Sequence, residues 1–104
     1  MKLTLQDVRD DIDKLDFTML DLLKQRQDLV LSAAQFKNCR EGETGVIVPS
    51  RIESMIEDRV IKAKGLGLDG IFVENMCRLV IEHMIELEMN KWVQDDRTNT
   101  KEFK

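Results

Sequence analysis

Apolar residues recur near the start of the chain at Leu5, Val8, Ile12, Leu15, Met19, Leu22, Leu29, Ala33 and Phe36, and with Arg26 counted in, the steps alternate between three and four. That is the period of a helix packing along one face. The pattern predicts a first helix from Leu5 to Lys37, N-capped by Thr4 with Asp7 three residues on. At 1.5 Å per residue such a helix spans roughly 50 Å, whereas a compact chain of this length has a radius of gyration near ~13 Å. A helix that overhangs its own domain implies a second chain lying along it, so length alone predicts a dimer.

Asn38 to Val48, NCREGETGVIV, reads as a loop. Ser50-Arg51-Ile52-Glu53 has the S-x-x-E form of a capping box and predicts a second helix starting at Ser50. Its apolar positions are Ile52, Met55, Ile56, Val60 and Ala63, and Gly65 and Gly67 end it. Asp69 is the next N-cap. A third helix follows from Gly70 to Trp92, carrying Phe72, Val73, Met76, Cys77, Val80, Ile81, Met84 and Ile85. The division expected is a helical domain over 1–93 and a polar, frayed tail over 94–104.

Composition narrows this to an all-α protein of one domain. The 104 residues include one Pro, five Gly and no Tyr, punctuation too sparse for a many-stranded β fold. A net charge of −4 with no basic stripe argues against nucleic acid as a partner. No apolar run approaches the ~18 residues of a membrane span, and the N-terminus shows no apolar signal region. Cys39 and Cys77 match no metal spacing and read as free thiols in a reducing cytoplasm.

Several charges sit oddly on this frame. Arg26 interrupts the apolar seam, and a guanidinium there is costly to bury unless something anionic meets it. An isolated arginine of this kind commonly snorkels out or pairs with a structural carboxylate. Glu88 continues the line Cys77, Ile81, Met84 at helical spacing, so it lies on or beside an apolar face; alone it reads as a partner for Lys91 or a neighbouring helix. Lys37 by itself reads as a cation at a helix C-terminus, Arg51 as a first-turn residue opposing the helix dipole, and Arg9 as a solvated side chain.

Taken together, VRDDIDKLDFTMLDLLKQR, AAQFK, VPSRIESMI and GLDGIFVENMCRLVIEHMIELE, in this order, resemble the all-α (type II) chorismate mutase family from about Leu5 to Trp92. The resemblance implies an intertwined homodimer of three helices per chain, with shared active sites for a small dianionic substrate and with no cofactor or metal. It implies substrate binding by Arg26, by Arg51 at the start of the second helix, and by Arg9 reaching across from the partner chain. It places Lys37 at the substrate's ether oxygen and a carboxylate, and Glu88 where a glutamine or glutamate donates to that ether oxygen. The spacing agrees: Arg9 and Arg26 are 17 residues apart, ~25 Å along one helix, too far for one small diacid to touch both, whereas an antiparallel partner helix brings its own Arg9 beside Arg26.

The chain departs from the family at three positions. Ile52 stands where many members carry a glutamate for the ring hydroxyl, Val48 replaces an acidic residue, and Met84 replaces a smaller polar one. This end of the pocket is therefore more apolar, as in isochorismate-pyruvate lyases and aminodeoxychorismate mutases; the latter often pair a methionine with a glutamate at the positions of Met84 and Glu88. His83 reads as a surface residue. The function expected is the [3,3] rearrangement of chorismate to prephenate. The alternatives are the same reaction on 4-amino-4-deoxychorismate, pyruvate elimination from isochorismate, and a non-catalytic dimeric regulatory module.

Overall fold

The computed structural model describes residues 3–42 and 44–102, with side chains as far as Asp95. Three helices carry the chain: α1 over Leu5–Ala33, α2 over Pro49–Gly65 and α3 over Gly70–Glu102. A single 3₁₀ turn, Ala34–Phe36, ends the first rod, so the expected helix to Lys37 tightens over its last turn and Lys37 is extended. Thr4 and Asp7 form the expected capping box, each side chain accepting from the other's backbone N–H at 3.0 Å. The Thr4 backbone N–H, then its hydroxyl, holds the Asp7 carboxyl below the usual range.

Two expectations fail locally. The capping box at Ser50 does not form: α2 begins one residue earlier, with Pro49 in its first turn and no side-chain cap on Val48. Proline has no N–H to satisfy and a φ already set for a helix, so it takes the first position and moves Ser50 inside. The segment read as a loop holds two three-residue strands, β1 (Cys39–Glu41) and β2 (Gly45–Ile47), paired in parallel with Cys39 opposite Gly45. Gly42 turns the chain at φ +124°, and a Cβ on Gly45 would lie 2.9 Å from the Glu41 backbone. Both positions therefore call for glycine.

The C-terminus of α2 and the N-terminus of α3 match expectation, whereas the expected end of the third helix at Trp92 does not. Leu68 N–H reaches Ala63 O at 2.9 Å and Gly67 N–H reaches Lys64 O at 3.1 Å, and Gly67 has φ +84°. This is the Schellman closure that a glycine past the helix end permits. Asp69 Oδ1 accepts from Phe72 N–H at 3.0 Å and caps α3. That helix continues past Trp92, and its backbone is helical to Glu102.

Helix α3 is the spine, touching α2 along one stretch and the end of α1 along another. Val73, Ile81 and Met84 of α3 are buried with Ile56 and Ala63 of α2, Ala34 and Val46. Arg78 ties α3 to α2, donating to both oxygens of Glu53 at 3.1 and 3.2 Å while also reaching Glu74. The N-terminal two-thirds of α1 stands clear: Leu5, Ile12, Leu15, Met19 and Leu22 are each at least half exposed. The chain extends over 70 × 25 × 15 Å with a radius of gyration of 18.4 Å, well above the ~13 Å of a compact chain. No helix among the described residues is long and apolar enough to cross a membrane.

Candidate active site

Where α1 leaves its partnerless stretch, the three helices and the segment before α2 line an open cavity of about 300 Å³. Four short pieces of chain bring charge to it. The end of α1 carries Arg26 and, beyond the 3₁₀ turn, Lys37; the first two turns of α2 carry Arg51 and Ile52; a further turn adds Arg59; and α3 supplies Met84 and Glu88 one turn apart. Leu29, Val30, Val46, Val48, Ile81 and Ile85 complete an apolar wall. Six of the seven residues singled out from sequence thus share one cavity. Arg9 lies elsewhere, exposed on the free part of α1. His83 is exposed.

Lys37 is held from two sides. Its ammonium donates to Gly45 O at 3.0 Å, and Trp92 Nε1 donates to its backbone carbonyl at 3.1 Å. The start of β2 and the C-terminal half of α3 therefore set its position. Lys37 Nζ lies 3.8 Å from Glu88 Oε1, too long for a good hydrogen bond.

Glu88 is only 5% exposed, and its Oε1 has no hydrogen-bond partner. Burial pushes its pKa above the usual carboxylate range, and the Lys37 charge opposes this without cancelling it. The arrangement is a buried carboxyl beside the cavity, its neutral form favoured by burial, with one oxygen lacking a hydrogen-bond partner in the protein.

At the other end, Arg26 Nη1 donates to Met84 Sδ at 2.7 Å. Among the described residues no carboxylate lies within ion-pair distance of Arg26, Arg51 or Arg59. Burial depresses the Arg26 pKa, and the Arg59 charge adds to this ahead of Arg51, with Cys77 opposing. A thioether is a weak acceptor for a guanidinium, so Arg26 is poorly satisfied by the protein itself.

Sequence reasoning did not single out Arg59. The available signal was its place on the stripe Arg51, Met55, Arg59, in steps of four along α2. Trp92 was missed as a support for Lys37, because its contact spans 55 residues.

Converging cations, apolar walls and one protonatable carboxyl define a site for a small polyanion among helices. The family described as chorismate mutase type II matches residues 8–89, and the chain belongs to that family and, with it, to the chorismate mutase-type enzymes. It is 32% identical over 90 residues, 86% of each chain, to an isochorismate pyruvate lyase of Pseudomonas aeruginosa. It is 35% identical over 85 residues to a 4-amino-4-deoxychorismate mutase of Streptomyces venezuelae, 81% of this chain and 80% of that one. It is also 34% identical over 84 residues to a T-protein of Enterobacter agglomerans, covering 81% of this chain and 22% of the T-protein.

Proposed function

We propose that this chain catalyses the [3,3] rearrangement of chorismate to prephenate, as a cytoplasmic homodimer whose two sites are each completed by Arg9 of the other chain. The observation that carries the reading is the cavity's charge pattern: Arg26 and Arg51 have no carboxylate of their own among the described residues, and Lys37 lies 3.8 Å from a buried Glu88 oxygen that has no hydrogen-bond partner. In the reaction the ether C–O bond breaks as the enol-pyruvyl methylene bonds to the ring, and negative charge grows on the ether oxygen. The bonds exchange within one molecule, so the protein's work is to fix the compact conformer and stabilise that charge.

Arg26 and Arg51 hold the two carboxylates, and Ile52, Met84 and Val48 press on the ring. Lys37 spends one of its three N–H donors on Gly45 O and has others for the ether oxygen. A protonated Glu88 gives a second donor to the same atom. An acceleration of roughly 10⁶-fold needs about 8 kcal/mol, within reach of positioning and preorganised charge together.

The dimer rests on α1. Leu5, Val8, Ile12, Leu15, Met19 and Leu22 are 42–64% exposed, and covering what remains open is worth on the order of 5–10 kcal/mol per chain. That is comparable with the stability of a whole domain. The two unpaired cysteines suit a reducing cytoplasm, and the family match within residues 8–89 fits a catalytic domain over 1–93.

A second reading is pyruvate elimination from isochorismate. It is favoured by the apolar Ile52 beside Arg51 and by the likeness to the P. aeruginosa lyase over 86% of each chain. The Met84–Glu88 pair keeps 4-amino-4-deoxychorismate in the comparison. The test is to incubate the purified protein separately with chorismate, 4-amino-4-deoxychorismate and isochorismate and identify products by mass spectrometry. Prephenate from chorismate as the fastest reaction supports the first reading. Pyruvate released fastest from isochorismate, or preference for the amino substrate, replaces it. A folded dimer inert on all three is a non-catalytic module.

A further inference from the structure

The cavity holds more guanidinium groups than the proposed chemistry has used. The face of α2 turned to it presents Arg51, Ile52, Met55 and Arg59. Arg59 is the odd member, since it is eight residues beyond Arg51 and exposed enough to be solvated. A surface arginine on a helix ordinarily finds a carboxylate three or four positions away. Here those positions are Met55 and Ile56 on one side and Lys62 and Ala63 on the other. The acids that α2 does carry next to it, Glu57 and Asp58, do not line the cavity. Its hydrogen bond is to the Met55 backbone carbonyl at 3.3 Å, and no carboxylate comes within ion-pair distance of it among the described residues.

The cavity also has two distinguishable ends. Lys37 meets Glu88, while Arg26 meets Met84, one turn earlier on α3. The Arg59 charge acts on Arg26 more strongly than that of Arg51 does, so Arg59 belongs to the Arg26 end. Two like charges brought together at a half-buried place are unfavourable until an anion joins them. A carboxylate has room for two guanidinium partners, accepting from a fork on each oxygen.

We propose that Arg59 is a second guanidinium for the substrate carboxylate that Arg26 holds, and so a residue that sets affinity for the dianion from within the same chain. The assignment rests on reading the cavity as a site for a chorismate-type dianion. Arg59 binds the part of the substrate whose charge does not change during the reaction. Its contribution is therefore the same in ground and transition states, and its loss raises KM rather than lowering kcat.

The experiment uses full-length wild type, Arg59→Gln and Arg59→Lys with whichever of the three substrates the wild type turns over. Circular dichroism and the oligomeric state are checked for each. Arg59→Gln is expected to raise KM by roughly 10- to 100-fold, the range for a charged hydrogen bond removed, with kcat within about threefold. Arg59→Lys recovers part of the affinity, because an ammonium restores the charge but not the planar fork. An Arg59→Gln KM within about twofold of wild type overturns the assignment, and so does a loss confined to kcat. A wild type inert on all three substrates fails earlier and differently: the functional reading falls, and this assignment with it.

Discussion

Arg26 is the residue on which structural and functional accounts of this cavity diverge most measurably. Replacing it with methionine keeps the unbranched stem and its packing while removing the charge. The side chain is half-buried, and the partner it has in the protein is the Met84 thioether. Its charge is opposed by burial and by Arg59. The protein therefore gains little from the guanidinium, and Arg26→Met should change stability by no more than about 1 kcal/mol in either direction, with stabilisation the favoured sign. For a chain of this size that keeps Tm within about 4–8 °C of wild type, compared at equal protomer concentration because assembly contributes. The substrate stands to lose more. Truncating one partner of a desolvated guanidinium–carboxylate pair costs about 2–5 kcal/mol, which converts to roughly 30- to 5,000-fold in kcat/KM. Thermal melts and steady-state kinetics on the same preparation decide the matter. If Tm falls by more than about 10 °C while kcat/KM drops less than about tenfold, the protein itself holds Arg26, and the argument from an unsatisfied charge is wrong.

Three further outcomes are expected. Arg9→Ala and Arg26→Ala chains, each inactive alone, should regain activity when mixed, because the heterodimer concentrates both lesions in one site and leaves the other intact; no recovery after verified chain exchange refutes the shared site. Turnover should fall as pH rises through the raised pKa of Glu88, since only the protonated carboxyl donates to an ether oxygen, and Glu88→Gln should flatten that limb; identical profiles on chorismate would show that Glu88 is not the titrating donor. Trp92→Phe removes the donor to Lys37 O and should lower kcat about three- to tenfold with KM little changed, because in the proposed mechanism Lys37 acts on charge that grows in the transition state; a change in KM alone would mean Trp92 does not position Lys37.

The parts of this fold legible in sequence were those set by local chemistry. Thr4 with Asp7, Asp69 and Gly67 fix helix ends through hydrogen bonds spanning three to five residues, and all three formed. Ser50 shows the limit of that reasoning: two start signals overlapped, and proline at the first position prevailed because its φ is covalently fixed. The strands over 39–41 and 45–47 gave no periodic signal, since three residues are too few to show alternation. Arg26 and Glu88 stood out because charges break an apolar period visibly, whereas Lys37 stood out only through the family resemblance. Arg59 could not, because on a helix with many exposed charges an arginine looks solvated until the facing helices show otherwise. Trp92 looked like the end of a helix, and its support of Lys37 depends on two elements meeting in space.

The charge balance of the cavity explains why its carboxyl should be buried. Lys37, Arg26, Arg51 and Arg59 face the space, and an ionised glutamate among them would neutralise part of the field that binds a dianion. It would also repel an ether oxygen on which charge is growing. Burial changes both effects together: by favouring the neutral form of Glu88 it leaves the four cations uncompensated until substrate arrives, and it turns an acceptor into a donor. Stability responds with the same sign. A carboxyl whose pKa is raised on folding favours the folded state below its unfolded pKa, and that contribution is lost as pH rises through the folded one. Above that pH, Glu88→Gln should be more stable than wild type as well as more active. A purely structural partner for Lys37 would behave oppositely, because its ion pair would strengthen on ionisation and glutamine would weaken the fold at high pH. Thermal melts of the two proteins across pH therefore separate a donor awaiting substrate from a buried ion pair, without any turnover being measured.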